Sequence, residues 1–168
     1  MSDQPAAVES NGTVLVIFFT AVADINAPKL SEVTAVSSLD LSCYLTGDGL
    51  NTDTSENNIE DPRLCSKQTF ESPGDFSRTL ELTYVFNPES PDDDEARITL
   101  ARGTKGYIGI RWAVDSEQAI AVGDIFDVYP VTMGAQRKQT PGRNSVHKIT
   151  QKPFVTGNMA EDVLIVTG

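Results

Sequence analysis

The sequence predicts a mainly β domain, a sandwich or barrel with one short α-helix packed against its flank. Three observations carry this. Apolar runs of strand length recur along the chain and are rich in Val, Ile, Thr, Tyr and Phe. Two of them alternate with period two, so Leu80, Leu82, Tyr84 and Phe86 share one face, as do Ile108, Ile110, Trp112 and Val114, and these faces should meet in a core. Turn chemistry separates the runs, at Thr46-Gly-Asp-Gly49, Ser72-Pro-Gly74, Val122-Gly-Asp124 and Pro141-Gly-Arg-Asn144. Many strands and one good helix fit a sheet with a helix laid on it.

With 168 residues and 18.2 kDa the chain can bury a core without metals or disulfides. It reads as a polar N-terminal arm over residues 1–12 and one domain over 13–168. The first apolar run, Val14 to Ala23, resembles a signal peptide in ending on an Ala-x-Ala-like site. Asp3 and Glu9 precede it and no Lys or Arg comes before Lys29, so it reads instead as a buried first strand of a protein kept in the cytoplasm. It is also about half the length that spans a bilayer. Further strands are expected near 39–46, 63–70, 77–86, 106–114, 124–132, 145–151 and 162–166.

The helix is expected over 90–103, "SPDDDEARITLARG". Ser90 can serve as N-cap, Pro91 suits the first helical position, and Asp93 falls where a capping acid sits. Arg97, Arg102 and Lys105 gather at the other end and Gly103 can close it, so Asp92 to Glu95 read as macrodipole charges rather than a cation site. Two polar segments are too long for simple turns: 47–61, "GDGLNTDTSENNIED", and 132–144, "TMGAQRKQTPGRN". Loops of that length in a domain are functional or disordered.

Catalytic equipment is sparse. His147 is the only histidine, so an imidazole pair on a metal is impossible and any triad would run through that residue. Gly103-Thr-Lys-Gly106 leads from a helix into a strand, the wrong order for a phosphate loop. Counted from Asp48 as a calcium loop, position three is Leu50 and position six Asp53, which lacks both the ligand and the glycine. Cys43 and Cys65 cannot make a zinc site alone and read as free, partly buried thiols. Asn11-Gly-Thr13 is a glycosylation sequon with no sign of secretion to go with it. No catalytic residue, cofactor or metal is assigned. Thirteen basic against twenty-four acidic residues leave a net charge of -11, which should repel nucleic acid and anionic lipid.

Particular words in the chain go further. Ala27-Pro-Lys-Leu-Ser-Glu32, Leu39-Asp-Leu-Ser-Cys-Tyr-Leu-Thr46, Gly47-Asp-Gly-Leu50, Arg63-Leu-Cys-Ser-Lys67, Gly103-Thr-Lys-Gly-Tyr107, Arg111, Asp127-Val-Tyr-Pro-Val131, Gln136-Arg-Lys138 and Lys152-Pro-Phe-Val-Thr-Gly157 run through most of 13–166. Together they resemble the major tail tube proteins of long-tailed, non-contractile bacteriophages, particularly those infecting actinobacteria. The resemblance implies a β-sandwich subunit of the tail-tube fold. It implies a virion protein that is not an enzyme, assembled in the host cytoplasm into six-membered rings that stack as the tail tube. Implied partners are further copies of the chain, a tape measure protein, a tail terminator and tail-tip proteins. DNA would pass through the lumen without specific binding, and no membrane is involved.

On that reading six copies carry a formal charge of about −66 per ring, which would keep duplex DNA off an acidic bore wall. The long polar segments become contact surfaces. Asp48, Asn51, Asp53, Glu56, Glu60 and Asp61 are the candidate acidic side, and Arg137, Lys138 and Arg143 the basic side on a neighbouring ring. The arm and segment 47–61 would order against that neighbour. The alternatives are another ring-forming tail component, such as a tail terminator or a contractile-system tube protein, and a carbohydrate- or calcium-binding β-sandwich module.

Overall fold

The run that resembled a signal peptide is β1 (Val14–Phe19), buried on both sides, in a computed structural model that describes residues 3–168. Val16 and Phe18 face one apolar cluster while Leu15, Ile17 and Phe19 face another, which is why this strand is continuously apolar instead of alternating. The remaining strands are β2 (Leu39–Asp40), β3 (Leu45–Asp61), β4 (Phe70–Val85), β5 (Lys105–Trp112), β6 (Ile125–Lys138), β7 (Lys148–Val155) and β8 (Ala160–Leu164). They form one curled antiparallel sheet, a half-barrel, in the order β2-β1-β5-β6-β7-β4-β3. β8 pairs with the start of β6 and β7 with its second half. The chain is mainly β, as expected, and carries two short helices, α1 (Leu30–Val33) and α2 (Glu95–Thr99), where one was expected. The first two residues of the expected N-terminal arm, 1–2, lie outside the described residues.

The expected alternation holds in part. Leu80, Leu82 and Tyr84 on β4 meet Ile108 and Ile110 on β5 in the larger cluster, which also takes in Met133, Ile149, Ala96 of α2 and Leu100 just after it. Trp112 does not join them and stays 44% exposed at the end of β5. The smaller cluster packs Leu15, Ile17, Phe19, Phe126 and Val128 against Val33 of α1 and Ile165.

Several expected boundaries are corrected. Segment 47–61 is no loop but most of β3, and 132–138 is the second half of β6, so only 139–147 remains irregular there. The run 63–70 is the tip of the β3–β4 hairpin, and 39–46 breaks after Asp40. The helix expected over 90–103 shrinks to a single 3-10 turn, Pro91–Asp93, followed by α2. Asp94 separates them because its carboxylate turns inward, accepting from Asn87 N at 3.1 Å and Arg97 Nε at 2.6 Å. The Ser90 hydroxyl donates to Asp93 Oδ2 at 2.7 Å instead of capping the backbone. Gly103 does adopt a left-handed φ of 86°. α1 opens where the Glu32 carboxylate accepts from Lys29 N and Ala23 N, both at 3.0 Å.

Behind α2 lies a closed polar network. Fully buried Gln151 donates through Nε2 to Leu100 O at 2.7 Å and Gly134 O at 2.8 Å, and its Oε1 accepts from Tyr84 OH at 2.8 Å. Gln136 Nε2 donates to Tyr84 OH and Arg97 O, at 3.0 and 2.7 Å. The two amides tie the last turn of α2 to the irregularity in β6 between Met133 and Gln136. Burial pushes the Tyr84 hydroxyl up to about 12. A second tie is Arg111, 1% exposed, which donates to Asp124 Oδ2, Asp115 O and Gln118 O and so fixes the connection from β5 to β6.

Candidate assembly surface

The least generic part of the molecule is the β3–β4 hairpin. Near the body, Leu50 opposite Leu82 packs on the core, and Leu80, opposite exposed Thr52, is still buried in it. Beyond them both strands continue as a two-stranded ribbon to Asp61 opposite Phe70. From Asn51 to the tip this is about 11 residues, or roughly 36 Å of extended chain. Nearly every side chain from 51 to 77 is exposed. β3 has no partner but β4, and β4 leaves β7 after Leu82 pairs with Gln151. One edge of β3 and the far edge of the β4 ribbon therefore present free backbone groups.

A ribbon buried on neither face lacks the alternation that marks a strand, which is why this segment looks like a loop in sequence. Pro73 and Gly74 sit within β4 where the register shifts between Glu56 and Asn58. Pro is tolerated there because a ribbon edge has no ladder to interrupt. At the root, Gly49 is required: a Cβ there would overlap the Thr83 carbonyl oxygen.

The predicted acidic residues all lie along this ribbon or its root. Asp48 sits at the root, where the Thr46 hydroxyl donates to it at 2.9 Å and holds its carboxyl below the ordinary range. Asn51 pairs in register with Glu81, Asp53 with Thr79, Glu56 with Phe76 and Glu60 with Glu71. Asp61, at the tip, bonds Arg63 at 2.7 Å. β4 adds carboxylates that the sequence reading did not single out, Glu71, Asp75 and Glu81. The shaft is therefore acidic on both strands, while the tip, residues 62–69, carries Arg63 and Lys67 and no acid.

The predicted basic residues lie at the far end of β6 and just after it. Arg137 reaches Glu81 at 3.4 Å, an exposed pair that contributes little to stability. Lys138 lies 5.4 Å above the Phe86 ring. Arg143 is exposed in the 139–147 connection, which also holds His147, edge-on to Phe86. Arg137 meets the root of the ribbon through Glu81, but within one chain the predicted acids and bases are not otherwise brought together.

Cys43 and Cys65 are both exposed, not partly buried, and Cys65 sits at the ribbon tip while Cys43 lies at its root, too far apart to pair within one chain. Among the described residues no three His, Cys, Asp or Glu side chains gather as a metal site, and no helix is long and apolar enough to cross a membrane.

A comparison with curated proteins finds no match. A family model described as phage tail tube protein matches residues 1–168, the whole chain. With that match and the mainly β half-barrel, the chain belongs to the phage tail tube protein family.

Proposed function

We propose that this chain polymerises as stacked hexameric rings that form the tail tube, the conduit through which the genome leaves the virion. The observation that supports it most is the ribbon: some 36 Å of paired strand extends past the core, and nearly every side chain from 51 to 77 is left exposed by its own chain. An isolated two-stranded hairpin is marginal in water, and an open edge invites pairing. A neighbouring copy supplies both the packing and the pairing. A head-to-tail interface that closes at six removes the sheet edges, and axial repetition extends the tube.

In this reading the acids Asp48, Asp53, Glu56, Glu60 and Asp61 with Asn51 lie against Arg137, Lys138 and Arg143 of an adjacent ring. Growth is then sensitive to salt, because exposed pairs are screened over about 8–10 Å at physiological ionic strength. The chain does no catalysis and uses no cofactor or metal. Residues 13–168 act as one domain and the preceding residues as an arm available to neighbours. Tape measure, tail terminator and tail-tip proteins meet the tube from inside and at its ends.

The test is negative-stain electron microscopy with light scattering over a protein concentration series, alone and with a tape-measure and tail-tip preparation. Tubes of uniform diameter with sixfold rings are expected. Single rings that never stack would assign the chain to a terminator role, and a monomer persisting with the initiating preparation would overturn assembly altogether.

A further inference from the structure

Three of the apolar residues left in solvent on the body lie side by side. The register places Ile110 opposite Asp127, so the next aligned position on the same face sets Trp112 beside Ile125, and Ile125 pairs with Leu164. Trp112, Ile125 and Leu164 thus form one row across β5, β6 and β8, and they are 44%, 52% and 53% exposed. Three large apolar side chains in adjacent cross-strand positions make a contiguous patch rather than isolated exposure. Its margin is acidic. Asp127 accepts from Trp112 Nε1 at 2.7 Å and from Asp162 N at 2.9 Å, and Asp162 is itself exposed beside it.

The ribbon tip has the opposite character. Leu64 is fully exposed, Phe70 is 54% exposed, and residues 62–69 carry Lys67 and Arg63, the latter held by Asp61 at 2.7 Å, and no acid. In a chain of net charge -11, a cationic apolar segment and an acid-rimmed apolar row are complementary in both respects. In its own chain β4 meets β8 at Arg78, which bonds Glu161, and from there the ribbon runs on about eight residues, roughly 26 Å of extended chain, to the tip.

We infer that the ribbon tip of one copy, residues 62–69, docks on the Trp112–Ile125–Leu164 row of a second copy, with Leu64 on the row and Lys67 facing Asp162. This rests on the self-assembly proposed above and names the surface that receives the tip. It makes the row, and not the edge strands alone, a determinant of which copies join.

Two measurements test it on full-length protein. Trp112 is the only tryptophan, so its emission reports the row directly in the unmodified chain. Assembly should shift it to the blue and reduce acrylamide quenching severalfold; unchanged emission in well-formed tubes would overturn the inference. In the second, Cys43→Ser with Leu164→Cys leaves native Cys65 as the only other thiol. Copper-phenanthroline oxidation of tubes should give a covalent ladder whose linked peptide joins positions 65 and 164, since a disulfide requires Cα atoms within about 7 Å. Tubes that bury Trp112 without this cross-link would assign the row to another occupant and refute the tip. If that variant forms no tubes, the same decision falls to Lys67→Glu, which should abolish growth, and to Lys67→Glu with Asp162→Lys, which should restore it; growth unaffected by Lys67→Glu, or no restoration, overturns the pairing. Failure of the wild-type chain to form tubes removes the assembly reading itself, a distinct result.

Discussion

Removing the ribbon should separate folding from assembly. Deleting residues 56–76 and joining Ser55 to Ser77 through Asn-Gly gives a two-residue hairpin of the kind that matches strand twist. The join falls beyond Leu80, the last residue of β4 towards the tip that is buried in the core, and it keeps Arg78 bonded to Glu161. In the deleted stretch only Ser66 and Gly74 are even half-buried, and Ile59, Phe70 and Phe76 are all more than half exposed, so little apolar burial is lost. If the ribbon adds no packing to the body, the shortened protein keeps the stability of the full chain to within about 1 kcal/mol, roughly 2–4 °C in Tm for a domain of this size. Thermal unfolding by circular dichroism, with electron microscopy of the same samples, checks both halves. The shortened protein should melt within a few degrees of the full chain and form no tubes. Tubes of normal appearance would refute the role given to the ribbon, and a large fall in Tm would show that the ribbon supports the body.

Reversing charge at Arg137, Lys138 and Arg143 to Glu should block tube growth while the monomer's denaturation midpoint moves little, since Arg137 with Glu81 at 3.4 Å and Lys138 over the Phe86 ring at 5.4 Å are surface contacts; growth as in the wild type would count against the basic side of the interface. Gln151→Leu leaves the Gly134 carbonyl and the Tyr84 hydroxyl proton without their buried partners, a loss of about 2–5 kcal/mol readable as a lower urea midpoint. A loss under about 1 kcal/mol would show that Gln136 and the surrounding chain take up those bonds. The Arg97 guanidinium bonded to Asp94, aided by Asn87 N, holds that carboxyl below the usual carboxylate range. Its folded pKa lies below the unfolded value, so its stabilisation is present above about pH 4 and fades as pH falls further. Asp94→Asn should therefore narrow its stability gap from the wild type between about pH 4 and pH 2, measured by urea midpoints; a gap constant over that range would contradict the assignment.

How much of this was legible in the sequence depends on burial. β1, β5 and the inner half of β4 announce themselves because at least one face packs on a core, and burial imposes an apolar pattern. The outer ribbon leaves nearly every side chain exposed, so Asn57, Asn58, Pro73 and Gly74 read locally as loop and turn, and only pairing between β3 and β4 makes them strand. The short helix lost its predicted length to one side chain: Asp94 is 1% exposed, and its inward bonds to Asn87 and Arg97 interrupt the helical path. α1 escaped notice because four residues cannot show a 3.6-residue period.

The candidate surface divides the same way. The charged residues of 47–61 and 137–143 were visible as composition, and the structure places them on a ribbon and at a strand end. The row of Trp112, Ile125 and Leu164 was not visible, because those positions are far apart in sequence and become neighbours only through the register of β5 with β6 and β6 with β8. Trp112 even appeared to continue the core face of β5; that face runs past the end of the core and into solvent.

The most direct test of the account is a helical reconstruction by electron cryomicroscopy of tubes grown from the purified chain. It should show six copies per ring, with residues 51–79 of each copy covered by a neighbour. A different ring number, or ribbons standing free in solvent on a well-resolved tube, would contradict it.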